Sequence, residues 1–121
     1  MFVFSTPTDH WQRYYTAGAN LSTDTWYHIA ATYDNAGNAV RIYLDGVPIF
    51  STTTTLEPVT NCGPVRLGRS AINEYWPGRL DDVRIYDRAM SDSEITDIAS
   101  DGGNAETVLL VVGDATTLAS K

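Results

Sequence analysis

Asp45-Gly46 stands between two runs in which apolar residues recur at every second position. That period belongs to a strand with one buried face, since side chains two apart point the same way. Asp-Gly is the dipeptide of a type I′ hairpin turn, which needs positive φ at both central positions. The pattern predicts a strand over Ala39–Leu44, a return strand from Val47, and Leu44 opposite Val47 on one face. Val40, Ile42, Leu44 and Ile49 then point inward, and Arg41, Tyr43, Pro48 and Phe50 occupy the other face.

The rest of the chain has the same texture: Thr, Tyr, Val and Ile in short runs, with Gly, Asn and Asp between them. Phe2–Ser5 and Trp11–Thr16 read as strands. Trp26–Asp34 is a stronger one, with Tyr27, Ile29, Ala31 and Tyr33 on one face and Trp26, His28, Ala30 and Thr32 on the other. Val65–Arg69 is a further strand, and Asn73–Pro77 is a loop carrying Tyr75 and Trp76. Gly78–Tyr86 has a phase fault between Leu80 and Val83, which a β-bulge at Asp81-Asp82 would repair by bringing Leu80, Val83 and Ile85 to one face.

One helix is signalled. Ser91-Asp92-Ser93-Glu94 is a capping box with Ser91 as N-cap, and Asp92 suits the positive end of the helix dipole. Ile95, Ile98 and Ala99 form its apolar stripe, and Gly102-Gly103 ends it. Val108–Val112 is an apolar run of buried-strand type.

Composition removes several functions. Fifteen acidic against eight basic residues leave a net charge of −7 with a single lysine, Lys121, so no basic stripe exists to neutralise phosphates or anionic lipid. Cys62 is alone and forms no internal disulfide. No charged segment or cleavage site follows Met1, so Phe2-Val3-Phe4 reads as a strand and not as a signal peptide. Asn20-Leu21-Ser22 is a sequon of a kind that arises often by chance.

Trp26–Asp34 (WYHIAATYD), Arg41–Gly46 (RIYLDG), Val65–Arg69 (VRLGR) and Gly78–Ile95 (GRLDDVRIYDRAMSDSEI) follow one another in a fixed order. This set resembles the laminin-G-like, concanavalin A-like jelly-roll domains of bacterial secreted proteins, over about Phe2–Ala99. The resemblance implies an all-β fold: a two-sheet antiparallel jelly-roll sandwich with one short C-terminal helix. It also implies strands upstream of Phe2 that this chain does not carry. Residues 1–100 are then the C-terminal part of the usual domain, and 101–121 a tail or the start of a following domain. Val108–Val112 could fill an empty slot, a second chain could complete the fold as a homodimer, or the tail could open an α/β domain.

Candidate sites follow from residue type. Arg41, Tyr43, Phe50, Tyr75 and Trp76 are aromatic or cationic residues expected outside the core, suited to stacking on a sugar or anchoring a protein partner. Asp81 and Asp82 are the metal candidate, because a bulge frees carbonyls beside two carboxylates and calcium takes both. The alternative is that Arg79 or Arg84 pairs with one of them. His10 and His28 lack the ligand spacing of a zinc site. Glu57, Glu74, Glu94 and Glu106 do not alternate on one strand face as glycosidase acids would, and Glu94 is committed to the cap. The expectation is a non-catalytic module that recognises glycan or protein on an exported multidomain protein. Behind it stand a structural assembly module without a small ligand and, third, a relative of glycoside hydrolases.

Overall fold

The computed structural model describes residues 2–5, 11–14, 19–55, 67–69, 75–101 and 108–111. Seven strands and one helix run in the order β1 (Phe2–Ser5), β2 (Trp11–Tyr14), β3 (Ile29–Asp34), β4 (Ala39–Leu44), β5 (Val47–Thr53), β6 (Arg84–Tyr86), α1 (Asp92–Asp101) and β7 (Val108–Val111). β1 and β2 form an antiparallel hairpin, and the other five make one sheet in the order β5-β4-β3-β7-β6.

The Asp45-Gly46 turn is as expected: φ is +50° at Asp45 and +78° at Gly46, and Leu44 lies opposite Val47. Asp45 also ties this turn to the residue that precedes β3. The His28 N–H donates to Asp45 Oδ1 at 2.8 Å, and the Asp45 N–H donates to the His28 carbonyl at 2.8 Å.

Both faces of the sheet are covered. On one, Ala31, Tyr33, Val40 and Ile42 bury against Tyr14 of the β1–β2 hairpin, with Phe50 packed alongside. On the other, Ala30 and Tyr43 bury against Met90 and Ile95, with Tyr86 and Ile98 at the margin. α1 holds that second layer. Its capping box forms as read: the Glu94 N–H donates to Ser91 Oγ at 3.3 Å, and the Ser91 N–H donates to Glu94 Oε2 at 2.8 Å.

Several expectations need correction. Tyr43 does not face out; it is fully buried, because α1 covers the face that the alternation left as an outer one. Phe50 is not on the Tyr43 face either. The β4–β5 register shifts between Ile42 and Tyr43, so Phe50 lies opposite Ile42 and Pro48 opposite Tyr43. Ile49 takes the unpaired bulge position and is 37% exposed instead of inward. The strand expected over Gly78–Tyr86 shrinks to Arg84–Tyr86, and Leu80 and Ile85 are exposed. Asp82 breaks the earlier part: its φ is +43°, and its N–H donates to Asp81 Oδ1 at 2.8 Å. A short acidic side chain that bonds local backbone favours a turn over a ladder.

The fold is mostly sheet with antiparallel strands and one short helix, but it is not antiparallel throughout. β7 runs parallel to both neighbours, with Ile29 opposite Val108 and Arg84 opposite Leu109. A parallel pair needs a crossover connection, and between β6 and β7 that connection contains α1. The strand expected at Val65–Arg69 lies mostly outside the described residues, as do His10, Glu57, Cys62, Glu74, Glu106 and Lys121.

Candidate functional site

The candidate binding residues fall in three places. Arg41 and Tyr43 converge on the start of α1: the Tyr43 hydroxyl donates to Asp92 Oδ1 at 2.7 Å, and Arg41 Nη1 lies 3.6 Å from the same oxygen. Burial, then the Asp92 carboxylate, push the Tyr43 phenol above its ordinary value. Phe50 lies on the opposite sheet face, tilted 51° against Tyr14 with ring centres 6.3 Å apart. Tyr75 and Trp76 occupy a third place, an exposed turn that carries neither Arg41 nor Phe50.

That turn is built by two glycines. Tyr75 pairs with Arg69 in an isolated antiparallel bridge, and the Trp76 N–H donates to the Gly68 carbonyl at 2.8 Å. Gly68 has φ +67°, and a Cβ there would sit 3.2 Å from Leu80 Cδ1. At Gly78 a Cβ would sit 2.6 Å from Trp76 Nε1, so the indole lies against this glycine and a side chain there would push the ring aside. Tyr75 is 66% exposed and Trp76 46%. The Arg69 guanidinium carbon stands 5.6 Å from the Tyr75 ring centre, a cation–π distance. The sequence reading named both rings and missed Arg69; the glycines at positions 68 and 78 were the signal that arginine and rings share one turn.

Asp82 holds a cation already. Arg84 grips it two-pronged, Nε to Oδ1 at 3.0 Å and Nη2 to Oδ2 at 2.8 Å. This is the arginine partner weighed above as the alternative to calcium, and the pair raises the Arg84 pKa. Among the described residues no group of three or more His, Cys, Asp or Glu is placed to hold a metal ion.

An open cleft of about 640 Å³ lies between the β3–β4 turn and the segment leading to α1, lined in part by Thr32, Asp34, Arg41, Asp87 and Arg88. Its two arginines are both engaged. Arg41 sits beside Asp92, and Arg88 grips the Glu94 carboxylate through both oxygens. Arg88 and the Ser91 cap together hold Glu94 down at about 2. A carboxylate held low in this way suits the helix cap, whereas a general acid works from a raised pKa.

The sequence matches the concanavalin A-like lectin/glucanases superfamily over residues 1–96. Among solved structures it is similar to an S-layer domain-containing protein (residues 221–444) from Clostridium thermocellum ATCC 27405, with 28% identity and a TM-score of 0.55. That alignment covers 69% of this chain and 43% of the other, so this chain spans less than half of the solved one. No curated protein matches the sequence.

Proposed function

The chain belongs to the concanavalin A-like lectin/glucanases superfamily, and on that premise we propose that it is a non-catalytic recognition module whose contact site is the Tyr75–Trp76 turn. One observation carries this reading: two large aromatic side chains, adjacent in sequence, are exposed together, with the Trp76 indole lying against Gly78 and Arg69 against the Tyr75 ring. Exposed rings on a fixed turn suit the apolar faces of sugar rings, and Arg69 adds donors for hydroxyls at its edge. The fold by itself names no ligand, so the weight rests on this turn. Binding without catalysis is favoured because Glu94, the glutamate the structure describes, serves the helix cap. A place on the surface of an exported protein is supported by the S-layer domain-containing relative.

The test is tryptophan fluorescence and calorimetry with soluble β-glucan, xylan and polygalacturonate. Saturable binding by one of these, lost in Trp76→Ala and Tyr75→Ala, supports the reading. Wild-type protein that gives neither heat nor a fluorescence change with any of them would overturn the glycan assignment.

A second reading, assembly as a homodimer, is favoured by a specific feature. On the sheet face that meets the β1–β2 hairpin, Val47 is 60% exposed at one edge and Ile85 48% exposed at the other, with Leu44 and Ile29 half-buried in the row beside Val47. A second copy related by a twofold axis would cover that row. Light scattering decides it: a mass of 13.3 kDa at every concentration excludes the dimer.

A further inference from the structure

His28 is the one described histidine, and its surroundings suit only its neutral form. It is 5% exposed, and neither Nδ1 nor Nε2 has a hydrogen-bond partner. A neutral imidazole already forgoes one donor and one acceptor interaction there. A protonated ring would place two charged donors in the same dry site.

By strand alternation His28 shares the sheet face of Ala30, the face that α1 covers. Its backbone is tied to the β4–β5 turn through Asp45, and that turn is tied to the helix. The Thr96 hydroxyl donates to the Gly46 carbonyl at 3.0 Å, and the Cβ position of Gly46 lies 3.0 Å from Thr96 Cα.

We propose that His28 is an acid-sensitive latch: protonation of its imidazole releases α1 from the sheet. The charged groups that act on His28 are Asp45 on the turn, Arg84 on β6 and Asp82 just before it. Asp45 and Asp82 favour the imidazolium and Arg84 opposes it, while burial outweighs them all and lowers the His28 pKa below 6.5. The folded state therefore binds fewer protons than the open one. Closure is complete above pH 6.5 and weakens, by up to tenfold per unit, as pH falls toward the lowered value. α1 gives way before the ladder because it docks through a few side chains, whereas β3, β4 and β5 share continuous backbone pairing. Glu94 does not confuse the window, since it stays ionised down to about 2.

The experiment is amide hydrogen exchange on the whole chain at pH 7.5 and 5.5, corrected for intrinsic rates, with an NMR titration of the His28 ring. His10→Gln assigns the two histidines. The expected result is a loss of protection confined to residues 92–101 at pH 5.5, absent in His28→Phe. Equal protection at both pH values would overturn the proposal, as would loss shared equally by β3 and β4, or an unchanged acid response in His28→Phe. Should His28→Phe not fold, the wild-type protein decides: a His28 titration at or above 6.5 refutes the latch.

Discussion

Gly46→Ala tests whether the turn and the helix are locked together as described. The residue has φ +78°, and an added Cβ would lie 3.0 Å from Thr96 Cα and 3.2 Å from Ala99 Cβ. A non-glycine residue in the left-handed region costs roughly 1–2 kcal/mol. Forcing a methyl group against a packed backbone costs about 1–3 kcal/mol more. The helix can shift to relieve part of this, so the expected loss is roughly 2–4 kcal/mol, a large share of the about 5–15 kcal/mol that holds a domain together. With a urea slope of about 2 kcal/mol/M, the unfolding midpoint should fall by about 1–2 M. Gly37→Ala is the control. It sits in the β3–β4 turn without a left-handed φ, and its Cβ would meet the Asp34 carboxylate at 3.2 Å, a side-chain contact that needs only a small shift, and Ala39 Cβ at an ordinary 3.9 Å. Its midpoint should move by no more than about 0.5 kcal/mol allows. Equal shifts in the two variants, or none at Gly46, would refute both the type I′ turn and the packing of α1 on it.

Further outcomes follow from the same geometry. Ser91→Ala should cost about 1 kcal/mol in urea unfolding, because the Glu94 N–H loses its cap. Tyr43→Phe should cost about 1–2 kcal/mol by the same assay; the low end applies because the Asp92 side chain, 58% exposed, regains water when the hydroxyl leaves. Glu94 binds protons less readily folded than unfolded, so its contribution is complete above pH 4.5 and lost as pH falls toward about 2. Thermal melts across that range should show a smaller acid-induced fall in Glu94→Gln than in wild type. Because Arg84 holds the Asp82 carboxylate, the melting temperature should be the same in EDTA and in millimolar calcium; a rise with calcium would restore the metal reading of Asp81 and Asp82.

The parts of the fold legible in the sequence are those decided within a few residues. The Asp45-Gly46 turn and the Ser91–Glu94 cap depend on local dihedrals and on side chains that reach their own backbone, and both form as read. The pairing of Leu44 with Val47 follows from the turn. What alternation could not carry was the environment of each face. A period of two separates the faces without saying whether the second is wet, and α1 turns the Tyr43 face into core. Nor does alternation survive a bulge: one extra residue at Ile49 moved Phe50 across the sheet. The parallel setting of β7 was equally hidden, since an apolar run fits either direction and the choice lies in the crossover through α1.

At the candidate sites the limit was the same, because residue type announces chemistry and distance decides it. Asp81-Asp82 and the arginine two positions on were all visible in the sequence, and both calcium and an ion pair were open readings of them. The distances place the Arg84 guanidinium on both oxygens of the Asp82 carboxylate, which is the ion-pair arrangement. Arg41 was grouped with the aromatic residues because both suit a ligand, yet it lies over the start of α1 beside Asp92. The cation that does join Tyr75 comes from six residues upstream, a proximity that shows only where the Gly68 carbonyl accepts the Trp76 N–H. Exposure is what separates the two aromatic groups. Tyr43 and Phe50 carry packing energy for the core, whereas Tyr75 and Trp76 leave large apolar faces in water on a turn that fixes them there. A single exposed ring is common and uninformative; two adjacent exposed rings, one lying against a glycine and the other under an arginine, form a surface that a ligand's apolar face can meet.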